Sequence, residues 1–275
     1  MDFVVHPARF VFEAQDPIHF PQGKAANVLR GALGHALEEQ IFRPRQSEGP
    51  SGLADPPRPF VFRVRHLEGR TFHSGDRFPI EMNLFDGEAV APVGAALAAI
   101  AAQGLGPGRG RARLTKTETG AVTIALHSSG SSVNKASVLF LTPTEIKAHN
   151  GQLTTKPGFD VLLARVRDRI STLRALYGDG PLDIDFRAFA ERAAEIQMTS
   201  SRLQHNRVDR TSTRTGQRHP LGGFTGEVTY EGDLAEFIPY LRAASYTGVG
   251  RQTVWGKGEI AVALSGSSVH LMDAE

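Results

Sequence analysis

Arginine side chains are concentrated in one polar stretch of the sequence, residues 201–224. Within this stretch a single acid, Asp209, accompanies five arginines: Arg202, Arg207, Arg210, Arg214 and Arg218. A guanidinium group forms forked hydrogen bonds with phosphate oxygens and stacks on nucleic-acid bases. The stretch therefore predicts contacts with a phosphate backbone, made by Arg210, Ser212, Arg214 and Arg218. A solvated loop, the usual place of such a charge run, is the alternative interpretation.

A second cationic segment, GVGRQTVWGKGEI at 248–260, alternates glycines with Arg251 and Lys257. Glycine lets the backbone approach a ligand closely, and exposed amide groups beside cations suit phosphates. We therefore predict that Gly250, Arg251 and Lys257 also contact a phosphate backbone. The segment lacks the GxxxxGK[ST] pattern of a nucleotide-binding loop, and an ordinary tight hairpin is the alternative.

Proton transfer near neutral pH is best served by histidine, and the sequence holds ten histidines. His35 lies in the segment 24–42, near the border of its apolar helical face, where a side chain is partly exposed. A helix-edge histidine without a role is the alternative, and His19, in the loop before this helix, is the competing candidate. No HxxxH or other metal-ligand spacing is present, so no metal site is predicted.

The positive charge is local rather than general, because the formal net charge of the 275 residues is only +2. A weaker basic group, Arg109, Arg111 and Arg113, is interpreted as a second backbone contact or a flexible turn. Cysteine is absent from the sequence, which excludes disulfides, thiolate metal sites and a cysteine nucleophile. Neither a secretory leader nor an apolar run of about 20 residues is found, so we expect a cytoplasmic protein outside the membrane.

Hydrophobic periodicity indicates that the same order of elements occurs twice. Strands are predicted at 3–12, 60–67, 77–85, 120–127, 136–147, 222–234 and 259–264. Helices are predicted at 24–42, 86–103, 159–178, 186–195 and 233–245. The repeated order is that of the βαββαβ unit, so we predict an α+β protein of two tandem ferredoxin-like (RRM-like) domains. A Ser/Gly-rich linker at 128–135 gives predicted domains of residues 1–133 and 134–275, the second of which contains the glycine-rich loop.

Four segments together resemble a known family, the CRISPR repeat-processing endoribonucleases of the RAMP superfamily. They are LRGALGHAL (29–37), GLGPGRGRARL (104–114), RTSTRTGQRHPLGGFTGEVTYEGDL (210–234) and GVGRQTVWGKGEI (248–260). They occur in the family's order and span most of the chain. The resemblance implies two ferredoxin-like domains, binding of a repeat RNA and metal-independent cleavage of precursor CRISPR RNA. The cysteine cluster that many relatives carry after the first helix is absent from 43–60, so no metal-stabilised loop is expected there.

The resemblance also implies a mechanism and partners. The 2′-hydroxyl of the RNA attacks the adjacent phosphate and leaves a 2′,3′-cyclic phosphate and a 5′-hydroxyl, without a metal or cofactor. His35 is the expected general acid or base, because the first helix is the family's usual place for it, and Lys24 or Arg30 is expected to stabilise the phosphorane. The expected partners are the repeat RNA or crRNA and other Cas proteins of an effector complex, with a homodimer as a further candidate.

Other functions share these features. A non-catalytic RAMP subunit would hold CRISPR RNA inside an effector complex with the same folds and arginines. A general ferredoxin-like RNA-binding protein would need exposed aromatic residues on its central strands, and the segments 60–67 and 137–142 lack the glycine–aromatic pattern. Cleavage of repeat RNA without magnesium distinguishes the enzyme from a binding protein. A metal-dependent nuclease is the least favoured of these interpretations.

Overall fold

The computed structural model describes residues 1–36, 57–128, 130–206, 209–211, 218–220 and 222–264. The side chains of residues 31, 32, 34–36, 206, 209–211 and 218–220 lie outside this description. None of the helices in these ranges is both long and apolar enough to cross a membrane.

The first half of the chain contains two helices packed on one face of an antiparallel sheet. Its strands are β1 (Asp2–Ala14), β2 (Ile18–His19), β3 (Phe60–Phe62), β4 (Thr71–Phe72), β5 (Arg77–Leu84), β6 (Ala112–Thr119) and β7 (Val122–Ala125). Its helices are α1 (Ala25–Ala36) and α2 (Val90–Gln103), with 3-10 turns at Arg65–Leu67 and Gly87–Ala89. The main sheet has the order β3-β5-β1-β6, and β7 pairs with the first residues of β1.

The second half repeats this arrangement with longer connections. Its strands are β8 (Lys135–Thr144), β9 (Ile146–Lys147), β10 (Leu153–Thr154), β11 (Gln197–Asn206), β12 (Asp209–Thr211), β13 (Arg218–Pro220), β14 (Gly223–Glu231) and β15 (Ile260–Leu264). Its helices are α3 (Phe159–Tyr177), α4 (Phe186–Ala194) and α5 (Ile238–Thr247), with a 3-10 turn at Thr253–Trp255. The main sheet has the order β11-β14-β8-β15.

Both main sheets have the strand order of a ferredoxin-like fold. The first and third principal strands of each half are central: β1 and β5 in one sheet, β8 and β14 in the other. The neighbouring strands pair antiparallel in both sheets. The predicted α+β architecture of two tandem ferredoxin-like units is therefore confirmed. The predicted boundary between residues 133 and 134 falls between β7 and β8, and the domain limits stay a prediction.

Glycines end two helices where the sequence predicts. The residue after α2 is Gly104, whose N–H donates to the carbonyl of Ile100, and the residue after α3 is Gly178. Helix α1 is described to Ala36, and the rest of its predicted range lies outside the described residues. Helix α5 begins at Ile238 rather than 233, with a proline in its first turn.

Two strands differ from the sequence prediction. Residues 112–114, predicted as the end of a loop, and 115–119, for which no element was predicted, form β6. After Gly120 the chain continues into β7, and both strands pair with β1 rather than with each other. Residues 197–206 form β11, for which the sequence predicted no strand. Both are edge strands of their sheets with mostly exposed side chains, so they are largely polar and the periodic apolar signal is weak. These strands form because they pair with β1 and β14, and the local sequence does not reveal that pairing.

The outer face of the first sheet carries cross-strand ion pairs. Arg9 on β1 lies between Glu81 on β5 and Glu118 on β6, with nitrogen–oxygen distances of 3.3 and 3.1 Å. Glu13 lies similarly between Arg77 and Arg113, at 3.6 and 3.2 Å. Opposite charges directly across a ladder stabilise strand pairing. This face is charged rather than aromatic, which disfavours a base-stacking platform on it.

The two hydrophobic cores share residues across the halves. Phe10 and Phe12 of β1 belong to the first-half core, whereas Phe3 and Val5 of the same strand belong to the second-half core. In return, Val254 of the second half packs against the first-half core. The halves are therefore packed together through apolar contacts as well as polar ones.

A cluster of polar contacts between the halves lies at the C-terminal end of α5. Arg63, which follows β3, donates from Nη2 to the carbonyl oxygens of Ser245 and Tyr246 at 3.1 and 2.8 Å. Asn83 of β5 donates from Nδ2 to the carbonyl of Tyr246 at 2.9 Å. Terminal carbonyls of a helix lack partners within it, so these side chains satisfy acceptors that would otherwise be unpaired.

A third donor comes from the second half itself. Arg169 of α3 donates from Nε to the carbonyl oxygen of Thr247 at 3.0 Å. Burial, with the neighbouring charge of Arg63, lowers the pKa of Arg169 to about 9. We refer to Arg63, Asn83 and Arg169 as the α5 clasp. Cations at a helix C-terminus also interact favourably with its dipole.

Replacing Arg63 tests the clasp. Arg63→Met leaves the carbonyl of Ser245 without its clasp donor and removes a charge-assisted bond to Tyr246. We expect the free energy of unfolding to fall by about 2 kcal/mol in urea denaturation. The control is Arg65→Met, because the Arg65 side chain is 53% exposed and its ion pair with Glu259 is long, at 3.9 Å. That change should cost no more than about 0.5 kcal/mol. Equal effects of the two variants would contradict the role given to Arg63.

Candidate nucleic-acid interface

The glycine-rich segment 248–258 connects α5 to β15, so it is not the tight hairpin that was the alternative interpretation. It leaves α5 at Gly248 and makes the 3-10 turn before entering β15. The backbone is left-handed at Gly250, with φ of 84°, and a Cβ there would collide with the carbonyl oxygen of Glu145. Glycine is therefore required for the segment to lie against the residue that follows β8.

Glu145 holds the segment through both its backbone and its side chain. Its carbonyl oxygen accepts the backbone N–H of Arg251 at 3.0 Å, and its Oε2 lies 3.4 Å from Arg251 Nη1. The carboxylate is buried, whereas the Arg251 side chain is 52% exposed. A guanidinium has five donors, so Arg251 keeps donors for a phosphate at the surface.

Lys257, the other cation of this segment, is buried, with 7% of its surface exposed. Its Nζ donates to the carbonyl oxygen of Gly222 at 3.1 Å. Burial lowers the pKa of its ammonium to about 8, although the Glu145 carboxylate acts in the opposite direction. The side chain ties the glycine-rich segment to the end of the arginine-rich stretch. Its predicted contact with RNA stays a prediction.

The arginine-rich stretch belongs to a long hairpin. Strands β11 and β14 form its base, and β12 and β13 pair beyond them. In this outer ladder Arg210 is opposite His219, and Arg218 is opposite Thr211. Two predicted contact residues, Ser212 and Arg214, lie outside the described residues. The described members of the set thus occupy consecutive rungs of one hairpin, whose base is tied to Lys257.

The three predicted catalytic residues lie on or next to α1. Lys24 precedes the helix, Arg30 lies at its middle, and His35 is the residue before its last. At about 1.5 Å per residue, the positions of Lys24 and His35 are about 16 Å apart along the axis. The positions of Arg30 and His35 are about 8 Å apart on the same basis. Along the helix axis, Arg30 is therefore closer to His35 than Lys24 is.

Glu68, which the sequence analysis did not single out, caps the start of α1. Its Oε2 and Oε1 accept the backbone N–H groups of Lys24 and Ala25 at 3.0 and 3.1 Å. Burial raises the pKa of this carboxyl group, against the effect of these hydrogen bonds. A helix N-terminus favours anions, and here a carboxylate already occupies it. A phosphate contact at this end of the helix must therefore come from the exposed Lys24 side chain.

The glycine-rich segment reaches the first half and contacts α1. The Cζ atom of Arg30 lies 4.3 Å from the centroid of the Trp255 ring, which is a cation–π geometry. At Gly256, where φ is 72°, an added Cβ would lie only 3.1 Å from the Cβ of Ala26. The predicted phosphate-binding segment and the helix of predicted catalytic residues are therefore in direct contact. Trp255 lies within the glycine-rich motif found in the sequence, but the neighbouring residues do not indicate that it contacts Arg30.

The weaker basic group has partners within the first half. Arg111 Nε lies 2.7 Å from Asp16 Oδ2, and hydrogen bonds from Arg111 lower the pKa of the Asp16 carboxyl group. Arg113 Nη2 lies 3.2 Å from Glu13 Oε1. Two of the three arginines therefore form ion pairs near the end of β1. This favours a structural turn over a second backbone contact.

His19, the competing histidine, lies on β2 and is exposed. Its Nδ1 is 2.9 Å from the hydroxyl oxygen of Thr71 on the paired strand β4. Within the described ranges, no group of three or more His, Asp or Glu side chains is arranged to hold a metal ion. The expectation that no metal takes part stays a prediction, as does the choice between His35 and His19.

Comparison with known proteins identifies relatives of this arrangement. Residues 138–260 match the family described as CRISPR-associated endoribonuclease Cas6. Residues 39–137 match the family AF_1859_N, described as an N-terminal domain. No curated protein sequence matches the chain. The resemblance to CRISPR repeat-processing endoribonucleases inferred from the sequence is therefore confirmed.

Solved structures with the same fold cover nearly the whole chain. Thermus thermophilus Cas6 in a product complex is 20% identical with a TM-score of 0.62, covering 94% of this chain and 99% of that one. A second Cas6 product complex is 21% identical with a TM-score of 0.61, covering 95% and 100%. A partial Cas6-RT-Cas1–Cas2 complex is 12% identical with a TM-score of 0.57, covering 98% of this chain and 47% of that one. At these identities the similarity shows the fold alone.

The buried Lys257 predicts a pH dependence of stability. Its pKa falls from 10.5 to about 8 on folding, so between these pH values the unfolded chain binds a proton that the folded chain has released. The free energy of unfolding contributed by this residue therefore rises with pH in that range. Relative to Lys257→Met, the wild type should gain about 2 kcal/mol between pH 7.5 and 10, measured by urea denaturation at each pH.

The exposed Lys116 provides the matched control, since Lys116→Met removes a lysine that is 66% exposed and ion-paired with Glu118. This variant should follow the wild type across the same pH range. A wild-type profile parallel to that of Lys257→Met would show that burial does not disfavour the Lys257 charge.

Proposed function

We propose that this chain, whose residues 138–260 match the Cas6 endoribonuclease family, binds CRISPR repeat RNA and cleaves it without a metal. The observation that carries the proposal is the contact between the glycine-rich segment and α1. Through this contact, the segment that carries Arg251 lies against the helix that carries His35. A phosphate backbone bound by the segment would thus run beside the helix.

The proposed reaction is a transesterification within the RNA. The 2′-hydroxyl loses its proton, its oxygen forms a bond to the adjacent phosphorus, and the bond from phosphorus to the 5′-oxygen breaks. The departing 5′-oxygen takes up a proton, so the products are a 2′,3′-cyclic phosphate and a 5′-hydroxyl. A histidine suits either proton transfer near neutral pH, and we assign this role to His35.

A cation near the scissile phosphate would stabilise the charge of the phosphorane. Lys24 and Arg30 are the proposed candidates, and the helix places Arg30 closer to the position of His35. Proximity favours Arg30, but its guanidinium lies against the ring of Trp255, which favours Lys24 for this role.

The RNA backbone is proposed to lie between the arginine-rich hairpin and the glycine-rich segment. Arg210, Arg218 and Arg251 would supply guanidinium groups, and the absence of a side chain at Gly250 would let the strand approach the segment. Ser212 and Arg214 are proposed to contact the same RNA strand. Lys257 supports this surface through Gly222, and its buried position disfavours a direct phosphate contact.

The proposed partners follow from the family. Repeat RNA and the crRNA made from it are the substrate and product. One matching structure contains Cas6 with RT-Cas1 and Cas2, so we propose that other Cas proteins associate with this chain as well. A homodimer stays a prediction.

Replacing His35 tests the catalytic proposal. We expect His35→Ala to bind repeat RNA with a dissociation constant within about threefold of the wild type. Its single-turnover cleavage rate should fall several hundredfold, the usual scale of lost general acid–base catalysis. The assay is run in excess EDTA, where the wild type should remain active and give products with 2′,3′-cyclic phosphate and 5′-hydroxyl ends.

His19→Ala is the matched control, because it removes the competing histidine and should keep the wild-type rate. If His35→Ala is fully active and His19→Ala is not, the catalytic role passes to His19. A wild type that binds repeat RNA tightly but cleaves none, with or without magnesium, would identify a non-catalytic RNA-binding subunit instead.

Replacing Arg251 tests the proposed backbone contact. Each phosphate contact on a single strand contributes about 0.7 to the slope of log affinity against log salt concentration. We expect Arg251→Ala to lower the magnitude of this slope by about that amount. Lys257→Met should leave the slope unchanged, because the ammonium is buried.

The matched control for Arg251 is Arg187→Ala, which removes one equal charge from a side chain that is 90% exposed and paired with Glu191 on α4. It should change neither slope nor affinity. A slope that falls equally for Arg187→Ala and Arg251→Ala would indicate a general charge effect rather than a contact.

A further inference from the structure

The glycine-rich segment is fixed to the first half at two separate places. At its start, Arg63 and Asn83 of the α5 clasp hold the helix turn from which it emerges. Further along, the ring of Trp255 lies against the guanidinium of Arg30 on α1, with 4.3 Å between Cζ and the ring centroid. Both contacts cross from one half to the other, so the first half determines where the segment runs.

The 3-10 turn Thr253–Trp255 packs on the first half through Val254 and Trp255. Val254 packs against the first-half core, and the turn contacts β3. Directly after it, a Cβ at Gly256 would lie only 3.1 Å from the Cβ of Ala26, so the backbone there packs closely on α1. A shift of the turn would therefore disturb α1, and a shift of α1 would disturb the turn.

Arg30 was predicted as a catalytic cation, and its guanidinium lies against the ring of Trp255. A guanidinium stacked on an indole is oriented by that ring. The other end of this connection is the RNA-binding segment itself, because Trp255 and Arg251 belong to the same short stretch of backbone. Misplacing a reacting group by about 1 Å costs about a hundredfold in rate, so such a connection matters for cleavage.

We propose that Arg30 and Trp255 form a positioning pair that registers the RNA held by the glycine-rich segment against the helix that carries His35. This inference rests on the proposed function. Arg30 acts through Trp255 rather than on the phosphorane, and another cation stabilises the phosphorane. The pair therefore contributes to the rate of cleavage rather than to the affinity for RNA.

The experiment measures single-turnover cleavage and RNA affinity separately for Trp255→Leu, Trp255→Phe, Arg30→Met and the double variant Arg30→Met/Trp255→Leu. We expect Trp255→Leu and Arg30→Met each to slow cleavage at least tenfold, with dissociation constants within threefold of the wild type. Trp255→Phe keeps a ring face for Arg30 and should stay within threefold of the wild-type rate. The double variant should be no slower than the slower single variant, because both changes break the same contact.

A readout independent of activity is available because Trp255 is the only tryptophan of the chain. In Arg30→Met, acrylamide should quench its fluorescence more strongly than in the wild type, while the circular dichroism spectrum is unchanged. Phe186→Leu is the matched control. It removes the ring that lies 4.7 Å from Arg167 Cζ in a surface contact of α4 and should change neither cleavage nor quenching.

Three outcomes would overturn the positioning role while the wild type cleaves repeat RNA normally. One is wild-type cleavage by Trp255→Leu. Another is a double variant whose loss equals the product of the two single losses, which would show that Arg30 acts on the RNA directly. The third is a loss confined to affinity. Absence of cleavage by the wild type itself would instead overturn the proposed function, and unchanged quenching in Arg30→Met would contradict the contact in either case.

Discussion

The last carbonyl groups of a helix that ends inside a protein need hydrogen-bond donors from elsewhere. In this chain the carbonyl groups at the end of α5 receive them at a contact between the two halves. Arg63 and Asn83 donate from the first half, and Arg169 donates from the second. The glycine-rich segment begins at the next residue, so its direction is set by the same contacts. The placement of Trp255 on α1 follows from that direction.

Several cations of the chain are ion-paired or buried, and these limit which ones the candidate interface can offer to RNA. Arg9, Arg111 and Arg113 are paired with carboxylates on the first half, and Lys257 is buried against Gly222. Arg251 is also paired, but its partner Glu145 is buried and the guanidinium remains half exposed. With a net charge of only +2, a polyanion would be attracted by the local arrangement rather than by the whole molecule.

The sequence predicted most of the scaffold because its signals are local. Glycines after α2 and α3 and the amphipathic pattern between them mark element ends within a residue or two. Strands β6 and β11 were missed because a polar strand is defined by the strand it pairs with. The first helix and the position of His35 on it followed from periodicity, whereas the choice of His35 for catalysis depended on the family resemblance.

The same distinction applies to the site. Residue types and clustering pointed to Arg251, Arg210 and Arg218, and these lie on two segments joined by the Lys257 contact. The roles of Glu145, Glu68 and Trp255 were not predictable, because each depends on a partner far away in the chain. A lone glutamate or tryptophan carries no local signal of such a partner.

The exchange of residues between the two cores bears on how the chain is made. A protein leaves the ribosome from its N-terminus, and an early domain often folds before the next one is complete. Here β1 lends Phe3 and Val5 to the second-half core, while the first-half core receives Val254 from near the end of the described chain. The packing of the first half is therefore completed only after almost all of the second half has been translated. Until then, Phe3 and Val5 of β1 lack the core that buries them.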